Sequence, residues 1–270
     1  MRSKWAVGEA DAGAFCPIVM ASVYETDLLL NQYLLFHYGT ADDQLPYSFG
    51  PRDALFFPQR CVSEFLPGIG KVESALDLGC AVGRSTFELT RWAEEVVGID
   101  SSHTFIQAAQ SVQETGRIEI RRTEEGAIFT LLQRELPAEI CRKSCRFEVG
   151  DATEMGSDIR PFDVVLAANL IDRVRKPKKL LHSLAEITRP GGHLIVTSPY
   201  TWLEEFTPAA EWLGGIRSSP FQALFSLEGM TRELNGAFDH EFTKDMPFLI
   251  REHARKFQWN VAQATLWKKK

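Results

Sequence analysis

From residue 75 onward, short apolar and β-branched runs alternate with longer stretches whose apolar residues recur at helical spacing. The runs "ALDLG", "EVVGID", "RFEVGD", "FDVVLAAN" and "GHLIVTS" read as strands. Ser85–Glu94, His103–Glu114 and Pro177–Thr188 read as helices between them, the last stopped by "RPGG". That alternation predicts βαβ units and a parallel sheet covered on both faces. Near the C-terminus "MPFLIREH" and "FQWNVAQATLWKK" are β-like and too close together for a crossover, so they predict an antiparallel hairpin. The expected architecture is an α/β fold with a mostly parallel sheet and one reversed strand at its edge.

Residues 1–74 break this rhythm. "YETDLLLNQYLLFHYG" and "ALFFPQRCVSEFLPG" are aromatic-rich helical patterns without a clear strand. They predict an N-terminal helical cap, 1–74, on a core of 75–270, the two forming one compact unit.

Composition narrows the function classes. The chain has 270 residues, 44% of them hydrophobic, and a net charge of −6. That is enough for a full core, and it offers no basic field for a nucleic-acid backbone. No run approaches a membrane span and the start has no secretory apolar segment, so the cytoplasm is the expected location. Cys16, Cys61, Cys80, Cys141 and Cys145 have neither disulfide nor zinc spacing. They are read as free thiols, and no metal is expected.

The stretch "ALDLGCAVGRSTFEL" carries the first chemistry. A strand ending Asp77-Leu78-Gly79, a loop through Cys80 to Gly83 and then a helix predict a ligand-binding turn at the carboxyl edge of the sheet. The expectation is that the glycines let a ligand approach the bare backbone and its N–H groups. The spacing departs from the G-x-G-x-x-G of dinucleotide folds. An acid at this turn would repel a pyrophosphate and suits a ligand bearing an ammonium or sulfonium charge. Asp100, followed by Ser101, lies where an acid accepts hydrogen bonds from a ribose diol, and Asp151 and Ala152 in "GDA" lie where they could flank an adenine. Together these features imply S-adenosylmethionine, with S-adenosylhomocysteine as product.

At this point the sequence resembles the class I (Rossmann-like), seven-stranded methyltransferases. More narrowly, "YETDLLLNQYLLFHYG", "FPQRCVSEF", "LDLGCAVGRSTFEL", "LAANLIDR", "TSPYTWLEEFTP" and "DMPFLIRE" with "KFQWNVAQATLW" resemble the methyltransferase module of the ovothiol-biosynthesis enzymes. The resemblance implies methylation of the side-chain-proximal ring nitrogen of 5-thiohistidine, giving ovothiol A. Many relatives carry this module behind an iron-dependent sulfoxide synthase. A separate synthase would then supply the substrate here.

Methyl transfer needs a lone pair held in line with the methyl carbon and water kept out. Asn169 and Asp172, at the end of the fourth strand, could bind substrate or the amino-acid end of the cofactor, and Asp172 could take a ring proton. The alternative for Asp172 and Arg173 is a solvated turn pair. After the fifth strand, Tyr200 and Trp202 could stack on an imidazole while Glu204 or Glu205 holds an ammonium, unless Trp202 merely packs the loop. In the cap, Tyr24 and Tyr47 could close over the site, Arg60 could reach the cofactor carboxylate and Arg52 the substrate carboxylate. His37 reads as a core histidine. The competing readings are another small-molecule methyltransferase of the same fold, a cofactor-binding regulator without turnover and, most distantly, an NAD oxidoreductase.

Overall fold

The computed structural model describes residues 24–155, 159–219 and 222–270; Cys16 lies outside them. The cap contributes α1 (Asp27–Tyr38), α2 (Ala41–Gln44), a 3-10 turn at Arg52–Ala54, α3 (Phe57–Ser63) and α4 (Leu66–Ile69). Then follow β1 (Val72–Leu78), α5 (Arg84–Leu89), β2 (Ala93–Asp100), α6 (His103–Thr115), β3 (Arg117–Glu125), β4 (Ile128–Glu135), β5 (Cys145–Val149) and β6 (Phe162–Ala168). The chain ends with α7 (Pro177–Ile187), β7 (Thr188–Ser198), β8 (Ile216–Ser219), β9 (Gln222–Leu224), α8 (Ser226–Leu234), β10 (Phe238–His253) and β11 (Lys256–Lys269).

Seven strands form one sheet in the order β10-β11-β7-β6-β1-β2-β5. Contacts from β5 through β7 are parallel, while β11 runs antiparallel to both β7 and β10. The reversed strand thus belongs to the expected edge hairpin, with β10 outermost. Period-two alternation sorts the strand residues between two cores. Ala75, Val96, Val164, Leu166 and Ile195 pack with α1, α3, α5 and α6. Leu76, Val97, Val165, Ala167 and Val196 pack with α7 and α8.

Three features depart from the sequence reading. The first crossover helix stops at Leu89, and Ala93 and Glu94 already belong to β2. A turn closes it, with Thr90 donating from Oγ1 to the Phe87 carbonyl at 2.7 Å. A two-stranded sheet, β3–β4, is inserted between α6 and β5. Finally, β11 pairs with β7 only from Lys268 down to Gln263, which lies opposite Ser198. The rest of the β10–β11 hairpin rises beyond the carboxyl edge of the sheet as a wall.

Cap, insertion and wall are joined by buried charge. Asp43 accepts from Arg134 Nε at 2.8 Å and lies 3.3 Å from Arg122. Arg251, in β10, donates to the Asp43 carbonyl and to Glu124 of β3, both at 2.8 Å. Asn31 of α1 accepts the Arg121 N–H at 2.8 Å. These bonds span three sequence-distant segments, so they hold α1 over the edge where β1, β2 and β6 end.

Candidate active site

The turn after β1 is stiff. Gly79 and Gly83 have φ of +77° and +89°, conformations open to glycine. A Cβ at Gly79 would lie 3.0 Å from Leu170, and one at Gly83 would lie 2.7 Å from the Phe147 ring. These glycines therefore serve close packing inside the protein. The loop amides are also spent internally. Gly79 and Cys80 donate to the Ile99 carbonyl at 2.8 and 3.0 Å, and Gly83 donates to that of Cys80 at 2.9 Å. Arg84 donates to His37 Nδ1 at 3.3 Å. The sequence expectation of bare backbone N–H groups facing a ligand does not hold for these positions, which leaves little to receive a pyrophosphate.

What the edge offers instead is carboxylate. Asp77 is 1% exposed. Its Oδ2 accepts from Thr86 Oγ1 at 2.7 Å, while Oδ1 is buried with no partner among the described residues. Burial pushes its carboxyl up to about 7. Asp100 accepts from the Ala81 and Ser102 N–H groups, both at 2.9 Å, and its carboxyl is also raised, chiefly by burial. Each of its oxygens keeps a lone pair beyond that bond. The third acid, Asp172, is fully buried. It accepts the Thr201 N–H at 2.9 Å and lies 3.0 Å from Arg173 Nη1, leaving Oδ1 without a partner among the described residues. Burial raises its carboxyl against the opposing Arg173 charge. The pair is therefore built into the interior and is no solvated turn.

Arg173 uses one nitrogen, Nη1, to hold the Asp172 and Thr201 carbonyls, each at 2.9 Å, and stacks its guanidinium 4.9 Å from the Phe206 ring centre. Above it sits the first part of the cap. The Tyr24 hydroxyl lies beside Arg173 and within the field of Asp100 and Asp172, and burial raises its pKa. Tyr33, one of the residues missed in the sequence, feels the same three charged groups and is raised further by burial. Its ring tilts on Phe105 at 4.8 Å. Ser102 Oγ donates to the Tyr24 carbonyl at 3.2 Å and Thr104 N–H to Glu25 at 3.1 Å, so this strap is tied to the end of β2. Its sequence signal was Tyr33 lying nine residues after Tyr24 across the start of α1.

Asn169 and Tyr200 follow β6 and β7, each with φ of +52°. Asn169 N–H donates to the Thr197 carbonyl at 2.8 Å, and its Oδ1 accepts from Thr197 Oγ1 at 3.0 Å. Tyr200 donates to Gln263 Oε1 of β11 at 3.0 Å, and Gln263 was likewise missed. Asp151 is exposed and accepts from Thr153 N–H at 2.7 Å, while Ala152 is buried beside it. Cys80 is buried and Ser101 exposed.

Other expected residues lie elsewhere. Arg60 is engaged by Glu64, by the Asp53 carbonyl and by the Pro247 carbonyl of β10. Arg52 bonds the Tyr47 carbonyl at 3.3 Å and faces Asp42 at 3.7 Å. Tyr47 donates to the Ala254 carbonyl at the tip of the wall. Trp202 donates to Ser226 Oγ at 2.8 Å and stacks on Trp212, packing its loop onto the α8 end. Glu204 and Glu205 are exposed. His37 is buried and pushed down to about 3 by desolvation, as befits a core histidine. Among the described residues no His, Cys, Asp and Glu group could hold a metal ion, and Cys61, Cys80, Cys141 and Cys145 are free.

Residues 76–196 match a family described as a methyltransferase domain. An uncharacterized methyltransferase of Schizosaccharomyces pombe is 24% identical over 139 residues, 51% of this chain and 44% of the relative. A ubiquinone biosynthesis O-methyltransferase of Alkalilimnicola ehrlichii is 27% identical over 124 residues, 46% of this chain and 40% of the relative. The chain thus spans less than half the length of these curated relatives. Among solved structures, the magnesium protoporphyrin IX methyltransferase of Synechocystis PCC 6803 with bound SAH superposes with a TM-score of 0.56 at 13% identity, covering 94% of this chain and 99% of that one. The N-methyltransferase NodS of Bradyrhizobium japonicum WM9 gives 0.51 at 13% identity, covering 78% and 93%. The fold is that of the class I methyltransferases, and within it residues 76–196 match a methyltransferase domain.

Proposed function

We propose that this methyltransferase domain makes the chain an S-adenosylmethionine-dependent N-methyltransferase of a small molecule, with the side-chain-proximal ring nitrogen of 5-thiohistidine as acceptor and ovothiol A as product. The observation that carries the reading is the pair of buried oxygens without a partner among the described residues, Asp77 Oδ1 toward the cofactor and Asp172 Oδ1 toward the acceptor, flanking an edge that also holds Asp100. Buried acceptors without donors are costly, and a ligand carrying ammonium and hydroxyl groups supplies those donors. The residues therefore fit the cofactor. Asp77 would take its cationic end, Asp100 its ribose diol, and Ala152 would flank its adenine. When bound, S-adenosylmethionine supplies a methyl group on a cationic sulfur that departs as a neutral thioether.

The remaining work falls to the chain. Tyr24 and Tyr33 close the edge and keep water from it. Arg173 presents a guanidinium to the acceptor's carboxylate, and Tyr200 fixes the ring plane from its bond to Gln263. Asp172, raised by burial, takes the ring proton. Nitrogen is chosen over the more nucleophilic sulfur by position. What supports 5-thiohistidine is the resemblance of the six segments quoted above. A separate sulfoxide synthase would supply it, and a reducing cytoplasm suits both the free thiols and a thiol substrate. Among the described residues no helix is long and apolar enough to cross a membrane.

One incubation with 5-thiohistidine and S-adenosylmethionine, read by mass spectrometry with fragmentation, tests this. We expect one added methyl on the ring nitrogen. An S-methyl product, or no transfer while the cofactor binds, overturns the acceptor assignment.

A further inference from the structure

Tyr47 and Trp259 take no part in the proposed reaction, yet both line a pocket of about 390 Å³ between the cap loop and the tip of the β10–β11 wall. Leu45 and Leu249, 3% and 2% exposed, form buried apolar lining. The Tyr47 ring is held firmly. Its hydroxyl donates to the Ala254 carbonyl at 2.9 Å, its ring stacks on Phe49 at 5.1 Å and 21°, and Phe257 meets it edge-on at 6.0 Å. Two large rings of this frame remain in water, Phe49 at 72% and Trp259 at 58% exposure. Apolar surface held open on a rigid frame marks a binding surface, and the volume is that of a small-molecule site.

The charge at the rim defines the occupant. Arg255 lines the pocket, and among the described residues no carboxylate pairs with its guanidinium. The neighbouring cations are taken, Arg52 by Asp42 at 3.7 Å and Lys256 by Glu252 at 2.8 Å. The pocket is separate from the methyl site. Trp259 and Gln263, the partner of Tyr200, are four residues apart on one face of β11, a rise of about 13 Å. We propose that this pocket is a second binding site, for a small planar aromatic carboxylate whose ring lies between Trp259 and the Tyr47–Phe49 stack and whose charge pairs with Arg255. Such a ligand answers both features at once. An aliphatic acid leaves the rings wet, and a neutral aromatic leaves the guanidinium without a partner.

The test titrates the full chain into 4-fluorobenzoate, with 4-fluorobenzamide as the uncharged control, and follows fluorine line broadening. Benzoate should bind and benzamide should bind about tenfold more weakly, the difference one charge-assisted contact supplies. Arg255→Gln should weaken benzoate by about the same factor, and Trp259→Ala should remove binding. Both side chains are outside the methyl site, so unchanged thermal melts and unchanged S-adenosylhomocysteine affinity should show both variants folded. Equal binding of acid and amide, wild-type affinity in either variant, no broadening at all, or displacement of benzoate by S-adenosylhomocysteine would each overturn the proposal. So would sedimentation showing a dimer that Trp259→Ala dissolves, since a second copy would then be the occupant. None of these readings depends on the acceptor of the methyl group.

Discussion

The two halves of the carboxyl edge are built in opposite ways. On the β1–β2 side, left-handed backbone falls on Gly79, Ala81 and Gly83, and the turn amides close on the Ile99 and Cys80 carbonyls and on Asp100. On the β6–β7 side, left-handed backbone falls on Asn169 and on Tyr200, an aromatic residue, and it is held by Thr197 and by Gln263 from distant segments. Local packing makes the first half, long-range contacts the second. In the proposed function the first half grips one cofactor and can be closed by its own backbone, whereas the second orients an acceptor and needs side chains aimed from several elements.

The sharpest way to break the contrast is to add a Cβ on the first side and remove one on the second. Gly83→Ala adds strain at φ +89° and a clash at 2.7 Å with Phe147. It should destabilise the protein by about 2–4 kcal/mol in urea melts and abolish cofactor binding. Asn169→Gly, which relieves rather than adds strain, should move stability by less than about 1 kcal/mol. Equal losses would erase the distinction.

Asp172→Asn keeps an oxygen for the Thr201 N–H, so the loop should stay folded while turnover falls about a hundredfold and S-adenosylhomocysteine affinity changes little. Wild-type turnover would remove Asp172 from proton transfer. On the other side, Asp100→Ala should weaken cofactor binding by about 1.5–3 kcal/mol in calorimetry. An unchanged affinity would reject the ribose assignment.

Asp77 gives a pH signature. Its carboxyl rises from 3.8 unfolded to about 7 folded, so between those values the folded state holds more protons than the unfolded one. Its contribution to stability is full below 3.8 and is lost as pH rises through about 7. Urea midpoints of the ligand-free protein should fall across that window, and Asp77→Asn should flatten the fall. Binding of the cationic cofactor should release a proton there, visible as a buffer-dependent heat. No buffer dependence would separate Asp77 from the cofactor. The smallest effect is expected for Tyr33→Phe, which keeps the ring on Phe105 and removes only the hydroxyl: about a threefold to tenfold fall in turnover with unchanged melting.

Much of the half proposed for the cofactor is legible in its strand, turn and helix because those elements are local. "ALDLGCAVGRSTFEL" announces strand, turn and helix, and Asp100 follows at the end of the next strand. The β3–β4 insertion is carried by "RIEIRRTEEGAIFTLLQRE", which has the alternation and a Glu-Gly turn, Gly126 having φ of +55°, but as an antiparallel pair it lies outside the βαβ rhythm. Arg60 and Arg52 are expected at ligand carboxylates, but the structure engages Arg60 with cap and wall and Arg52 with the cap alone. Gln263 carries no motif, and Tyr33 only its place nine residues after Tyr24.

Hydrophobic periodicity by itself determined the parallel sheet, its two covered faces and the closing hairpin, because burial is decided by patterns of period two and 3.6 that neighbouring residues share. The acids at the ends of β1, β2 and β6 were likewise marked by their place in those patterns. Tertiary structure alone decided which of the cap's aromatic and basic side chains face those acids. That choice depends on how high the β10–β11 wall rises and on the Asp43, Arg122, Arg134 and Arg251 network that sets α1 across the edge. Those partners are separated by up to 208 residues, and no local pattern in the chain relates them.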